Sequence, residues 1–164
     1  MHRLITLGLA LYSFFLIKTN IPRLPARIPT HFDVAGEANA WGSPDILWFL
    51  FLIQVLVCGL MLAMPLVGRR FPGTVHLGTR NLSDFTPELQ EQIMPLFTRM
   101  MEWMSVLLGL LFSSLLYEII QTSASAHPHI PKWELGAFLG GTVVILIYYL
   151  SRINALAGDT LSGG

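Results

Sequence analysis

ILWFLFLIQVLVCGLMLAMPLVG, residues 46–68, is the stretch whose reading decides the fold. It contains no Asp, Glu, Lys or Arg. As a helix rising about 1.5 Å per residue it is long enough to cross a hydrocarbon core of roughly 30 Å. Trp48 stands near one membrane interface and Arg69-Arg70 closes the other. Pro65 predicts a kink or an end in the last turn. The single cysteine, Cys58, lies inside this run, so no internal disulfide forms and no paired-cysteine motif offers metal, redox or haem attachment. Composition agrees with a polytopic membrane protein: 53% of residues are hydrophobic and 12% charged, where a soluble globule carries nearer a quarter. Ten basic and ten acidic residues cancel, leaving no global field to draw nucleic acid.

Three further apolar runs flank this one. Leu4 to Ile17 lies between Arg3 and Lys18 and is short for a span. No small-x-small cleavage site follows, so a retained helix is expected over a signal peptide. Lys18 can extend its amine outward, giving a helix over 2–20. Trp103 to Tyr117 is the third run. Upstream, Thr86-Pro87-Glu88 supplies a cap, a first-position proline and an acidic first turn. Leu89, Ile93, Leu96, Phe97, Met100 and Met101 then recur at helical spacing, predicting one helix over 87–121. It lies partly at the membrane surface, bends near Pro95 and then spans. Leu135 to Ser151, closed by Arg152, predicts a fourth helix over 134–152. With 44–67 for the second, the expectation is an all-α membrane domain of four transmembrane helices over 1–157. It includes an interfacial helix before the third span, and a loose tail over 158–164.

Between the first two spans, Leu24 to Pro44 is dense in punctuation. Its prolines predict extended chain from Pro22 to Pro29. Asp33 to Gly36 has the residues of a type I turn, and Ser43-Pro44-Asp45 reads as a helix start. The run L-P-x-R-I-P-T-H-F-D-x-x-G-E-A-N-A-W-G-S, residues 24–43, resembles the signature loop of a bacterial membrane domain of unknown function. That domain is shared with the N-terminal part of SdpI-like immunity proteins, which protect cells against the sporulation-delaying toxin. Leu24, Pro25, Ile28, Pro29, His31, Gly36, Trp41 and Ser43 carry the likeness. It implies a bacterial cytoplasmic membrane and, through the immunity proteins, a peptide toxin as partner. The immunity proteins continue into extra helices beyond this domain.

Candidate chemistry is sparse. No histidine and no charged residue falls near a mid-span, so helix-borne haem ligation and ion or proton paths lack their usual residues. Glu118, one turn from the end of the third span, reads as an interfacial carboxylate that reaches water or pairs with Lys132. His31, Asp33 and Glu37 are three metal or acid–base groups with no spacing that forces convergence. His127-Pro128-His129 reads as an exposed loop whose proline splays the rings. Arg27, Thr30, His31, Asp33 and Trp41 are the candidate recognition residues, with His31 as a pH-sensitive contact or a partner of the loop backbone. Small residues four apart, Gly59 with Ala63, Gly109 with Ser113 and Gly136 with Gly140, allow close helix approach. They pack the four helices together or, at Gly136 and Gly140, dock a neighbouring membrane protein.

The expectation is therefore a non-catalytic, cofactor-free membrane protein. Its partners are lipids and another integral membrane protein or complex, in which it is an accessory or scaffolding subunit. Toxin immunity or envelope sensing is the alternative, and a small membrane enzyme or transporter the second. Orientation follows the basic residues. Arg3, Arg69, Arg70, Arg80, Arg99 and Arg152 fall on one side, and Lys18, Arg23, Arg27 and Lys132 on the other. Six against four places both termini in the cytoplasm. Reporter fusions after Ser43, Thr79, His129 and Gly164 are expected to read outside, inside, outside and inside; a cytoplasmic signal at Ser43 reverses the topology.

Overall fold

The computed structural model describes residues 1–33, 35–77, 80–125, 127–129, 131 and 133–162. In chain order the elements are α1 (His2–Asn20), β1 (Ile28–Phe32), β2 (Ala38–Gly42), α2 (Ile46–Arg70), β3 (His76–Leu77), β4 (Arg80–Asn81), α3 (Pro87–Thr122) and α4 (Trp133–Ser162). All four helices are long and apolar enough to cross a membrane, so the all-α, four-span architecture read from the sequence is the one observed.

α3 is the helix on which the others pack. It is a single helix from Pro87 and, at about 1.5 Å per residue, roughly 54 Å long, well beyond one bilayer core. Thr86 caps it, its side chain accepting from the Leu89 amide at 3.4 Å, and Pro87 fills the first turn as expected. The apolar stripe of its first turns is covered by the chain itself. Leu89, Ile93, Met94, Phe97 and Met100 form a cluster with Val75, Leu77 and Leu82 from the α2–α3 connection, and with Tyr149, Ile153 and Ala157 of α4. Because Ile153 and Ala157 belong to this cluster, α4 does not stop at Arg152 but continues to Ser162. Gly163 and Gly164 of the expected tail lie outside the described residues.

Pro65 does not end α2, which runs five residues further to Arg70. Pro65 and Gly68 are both buried. A Cβ on Gly68 would meet Val75 Cγ2 at 2.7 Å, so only glycine lets this turn seat on the cluster. That packing holds the turn that an interior proline weakens.

At mid-membrane the seam between α1, α2 and α3 is polar. On α3, Ser105, Gly109 and Ser113 stand four apart on one face and are all buried. Ser113 Oγ lies 2.9 Å from Ser13 Oγ and 3.4 Å from the Leu9 carbonyl, both on α1. The side-chain amide of Gln54 on α2 donates to it at 3.2 Å. A hydroxyl has one proton and two acceptor sites. Ser113 therefore donates to the Leu9 carbonyl and accepts from Ser13 and Gln54, which makes Ser13 the donor of its pair. About two turns nearer the other end, the single proton of Ser105 Oγ is shared between Thr6 Oγ1 at 3.2 Å and the Cys58 carbonyl at 3.4 Å. Cys58 Sγ returns a bond to the Ser105 carbonyl at 3.5 Å. Gly109 permits the approach: a Cβ there would meet Leu9 Cδ1 at 3.1 Å.

The second Gln54 amide proton goes to the Gly109 carbonyl at 3.3 Å, but its Oε1 is buried with no partner among the described residues. An unpaired buried acceptor costs about 1–3 kcal/mol. Ser113→Ala strands both Ser13 and the Gln54 amide, and is expected to lower the unfolding free energy by about 1–2 kcal/mol. Gln54→Leu removes the unpaired oxygen along with its bonds, so its change should stay below about 1 kcal/mol. Detergent-titrated unfolding followed by circular dichroism compares the two; equal losses would mean that Oε1 has a donor.

Candidate functional site

The signature loop is a hairpin rather than an extended arm. Ile21 to Arg23 forms a 3-10 turn with Pro22 in its first positions, so the chain from Pro22 is not extended until Leu24, whose ψ is 148°. Pro22 suits that turn because its fixed φ fits and its missing donor is not called on. β1 and β2 then pair antiparallel: Ile28 faces Gly42, Pro29 Trp41, His31 Ala40 and Phe32 Ala38, with irregularities on either side of His31. In a two-stranded sheet both strands are edges, which is where a strand tolerates proline.

The turn falls where the sequence places it. The Gly36 amide donates to the Asp33 carbonyl at 2.9 Å, and Gly36 has φ 85°, a conformation glycine adopts without steric cost. Asp33 Oδ1 accepts from the Ala35 amide at 2.7 Å and the Glu37 amide at 3.0 Å, so this carboxylate is committed to its own turn. At the other end, Ser43 does not cap α2 as expected: the cap position is Asp45, with no side-chain cap bond. Ser43 Oγ instead accepts from the Asp45 amide at 3.3 Å and donates to its carboxylate at 2.8 Å, closing the turn ahead of the helix. A tight turn over Ser43 to Trp48 leads into α2 at Ile46.

Two attachments hold the hairpin to the bundle. Ile28 and Pro29 are fully buried, and Ile28 packs with Ile17, Leu47, Leu116, Ile119 and Ile120 where α1, α2 and α3 end. The α3–α4 connection forms the second. The Ala38 amide donates to the Pro128 carbonyl at 3.1 Å, and Glu37 bridges His129 in antiparallel fashion. His127 and His129 are exposed, as expected of this loop, and its backbone also clamps the hairpin; proline gives no amide but its carbonyl still accepts. Glu37, Ala38, Trp41, His127, Pro128 and His129 line a cleft of about 230 Å³.

The candidate recognition residues divide by what they touch. Trp41 is 44% exposed, and Arg27 Nη2 donates to its carbonyl at 3.1 Å. His31 is exposed, and its Nδ1 donates to Asn39 Oδ1 on the facing strand at 2.5 Å. Thr30 lies against Gly42, where a Cβ would meet its Cγ2 at 3.0 Å. His31, Asp33 and Glu37 do not converge, and no group of three or more His, Cys, Asp or Glu is placed to hold a metal among the described residues. Glu118 is half-buried, and its expected partner Lys132 lies outside the described residues.

The small-residue pairs also divide. Gly109 and Ser113 pack helices within this chain. A Cβ on Gly59, Gly136 or Gly140 would meet nothing within 4 Å, and Ala63 is half-buried. The sequence reading missed Thr6, Ser13, Gln54 and Ser105. The available signal was the spacing Ser105, Gly109, Ser113 and a lone long amide in an apolar run.

Asp33→Ala takes the acceptor from two turn amides, a loss of about 1–2 kcal/mol by analogy with helix caps. Amide exchange over residues 28–42 is expected to speed up about tenfold, with protection of the spans unchanged. Unaltered exchange in the hairpin would mean that the turn does not depend on this carboxylate.

Residues 7–57 match the family described as a domain of unknown function, DUF1648. The match covers under a third of the 164 residues and takes in most of α1, the whole hairpin and the first half of α2 with Gln54. No curated protein and no solved structure matches the chain.

Proposed function

We propose that this chain is a non-catalytic membrane protein that works by binding, an accessory or scaffolding subunit that meets a larger membrane assembly through the β1–β2 hairpin. The observation that supports this most directly is the construction of the hairpin. It is plugged by Ile28 and clamped at Pro128 and His129, yet it turns Trp41 and His31 outward. A surface fixed in advance loses little entropy on binding, and an exposed indole beside a polar cleft suits a protein contact. Most polar groups of the α1–α2–α3 seam are spent on one another, Gln54 Oε1 excepted, which favours a structural use over chemistry. In the same reading the hairpin lies outside a bacterial cytoplasmic membrane, both termini lie in the cytoplasm, and the open face of α4 at Gly136 and Gly140 meets a helix of the partner.

The alternative, a peptide-toxin immunity or envelope-sensing protein, draws on the resemblance of residues 24–43 to SdpI-like proteins and would use the same surface. The alanine variants His31→Ala and Trp41→Ala test the surface in either case. Co-purification of the partner, or affinity for a peptide, is expected to fall at least tenfold while the melting temperature holds. Loss of melting temperature ahead of affinity would make the hairpin structural. Gly140→Leu is expected to reduce co-purification without loss of stability, because the added side chain meets nothing of its own chain. A stoichiometric membrane protein that co-migrates in mild detergent supports the subunit reading, and a lone monomer with peptide affinity the alternative.

A further inference from the structure

α1 and α2 pack on one side of α3 and α4 on another, and the seam between α3 and α4 is left open. Trp103, Leu107, Leu110, Gly141, Val144 and Tyr148 line an apolar groove of about 390 Å³. It continues past Leu107 and Leu110 into a second hollow of about 320 Å³ that reaches Ser114 and Trp133. From Trp103 to Ser114 the groove follows roughly 17 Å of helix at about 1.5 Å per residue, close to half of a roughly 30 Å hydrocarbon core. A transmembrane helix needs the whole thickness; one lipid tail needs half.

The charge at one end selects the kind of lipid. Trp103, Tyr148 and Tyr149 gather at that end, the residue types that mark a membrane interface. One turn further out stand Arg99 on α3 and Arg152 on α4, four residues from Trp103 and from Tyr148 respectively. They lie on the faces those aromatics present, because residues four apart share a helix face. α3 and α4 are antiparallel, so the two arginines reach the same end of the groove. Both are exposed, and neither forms an ion pair among the described residues. The nearby carboxylate, Glu102, is already engaged, by Arg3 Nε at 2.6 Å and His2 Nδ1 at 3.3 Å.

We propose that the α3–α4 groove is a binding site for an anionic phospholipid, with one acyl chain along Leu107, Leu110 and Val144 and the phosphate between Arg99 and Arg152. A zwitterionic lipid fills the same groove but leaves the excess positive charge uncompensated. Basic residues near a membrane surface each contribute about 1 kcal/mol toward anionic lipid, a factor of about five.

Native mass spectrometry of the full chain, equilibrated with phosphatidylglycerol and phosphatidylcholine of identical acyl chains, tests the site. The wild type is expected to retain phosphatidylglycerol in preference. Arg99→Gln and Arg152→Gln should each reduce that preference about fivefold and together about 25-fold, while the double lysine variant Arg99→Lys/Arg152→Lys keeps most of it. Val144→Trp fills the groove from an exposed position, Val144 being 66% exposed, and should lower retention of both lipids at least fivefold. Equal retention of the two lipids by the wild type overturns the proposal. So does an unchanged preference in the double glutamine variant. Unchanged retention in Val144→Trp leaves a surface charge effect and removes the groove. The glutamine and tryptophan changes are all at exposed positions, and circular dichroism melting is expected to match the wild type.

Discussion

The hydroxyl of Ser113 joins three helices. In a bilayer the hydrophobic effect no longer drives helices together, so their association rests on close packing and on hydrogen bonds between them. Ser113 accepts from Ser13 of α1 and Gln54 of α2 and gives its proton to the Leu9 carbonyl. Four residues away, Gly109 opens the room for Leu9 and Cys58 to come close. Four further on, Ser105 repeats the arrangement with Thr6 and Cys58. Bonds of this kind average about 0.6 kcal/mol each in membranes. Together they contribute a few kcal/mol, against about 1–3 kcal/mol for the unpaired Gln54 oxygen. The net gain in stability is small. What the arrangement enforces is register: sliding α1 or α2 along α3 by one turn, about 5.4 Å, parts that helix from its partners on α3.

Register then decides what happens at the two ends. With Ser13 level with Ser113, Ile17 of α1 comes level with Leu116 and Ile120 of α3, and Leu47 of α2 joins them. Ile28 of the hairpin fills the space these residues leave. At the opposite end the same alignment brings His2 and Arg3 to Glu102, and the His2 ring within 4.5 Å of the Trp103 ring. The hairpin is thus oriented by hydrogen bonds in the middle of the membrane.

The spans were legible because absence of charge over about 20 residues has few explanations. The Thr86 cap and the Asp33 to Gly36 turn were legible because each residue type performs one local task. The strands were not: Pro29 sits inside β1, and a proline argues against a strand unless the strand is known to be an edge. Pairing of Glu37 and Ala38 with His129 and Pro128, far along the chain, leaves no local signal at all. The polar seam was invisible for a different reason. A search for mid-span charge and histidine passes over serine, threonine and glutamine, whose hydroxyls and amides cost little to insert and matter only once a partner is opposite. The length of α4 was misjudged at Arg152 because a charge was read as a stop, although Ile153, Leu156 and Ala157 keep the helical spacing beyond it.

α4 stands outside the hydrogen-bonded seam, and its two halves are held differently. Toward its C-terminal end Tyr149, Ile153 and Ala157 are buried in the cluster with α3 and with Val75, Leu77 and Leu82 of the α2–α3 connection. Gly141 brings the helix to Leu107, where a Cβ would lie 3.2 Å from Cδ2. Beyond that point toward its N-terminal end the contacts thin: Trp133 is 70% exposed and Leu139 55%, and Gly136 and Gly140 face open space. The loosely packed half is the one that joins the hairpin clamp, since only three residues separate His129 from Trp133. Three helices locked in register therefore carry a fourth that is fixed at one end and joined at the other to the loop that clamps the hairpin. Local stability follows buried apolar contact, so the order of opening is set by this packing: the N-terminal half of α4 and its loop open before the seam does.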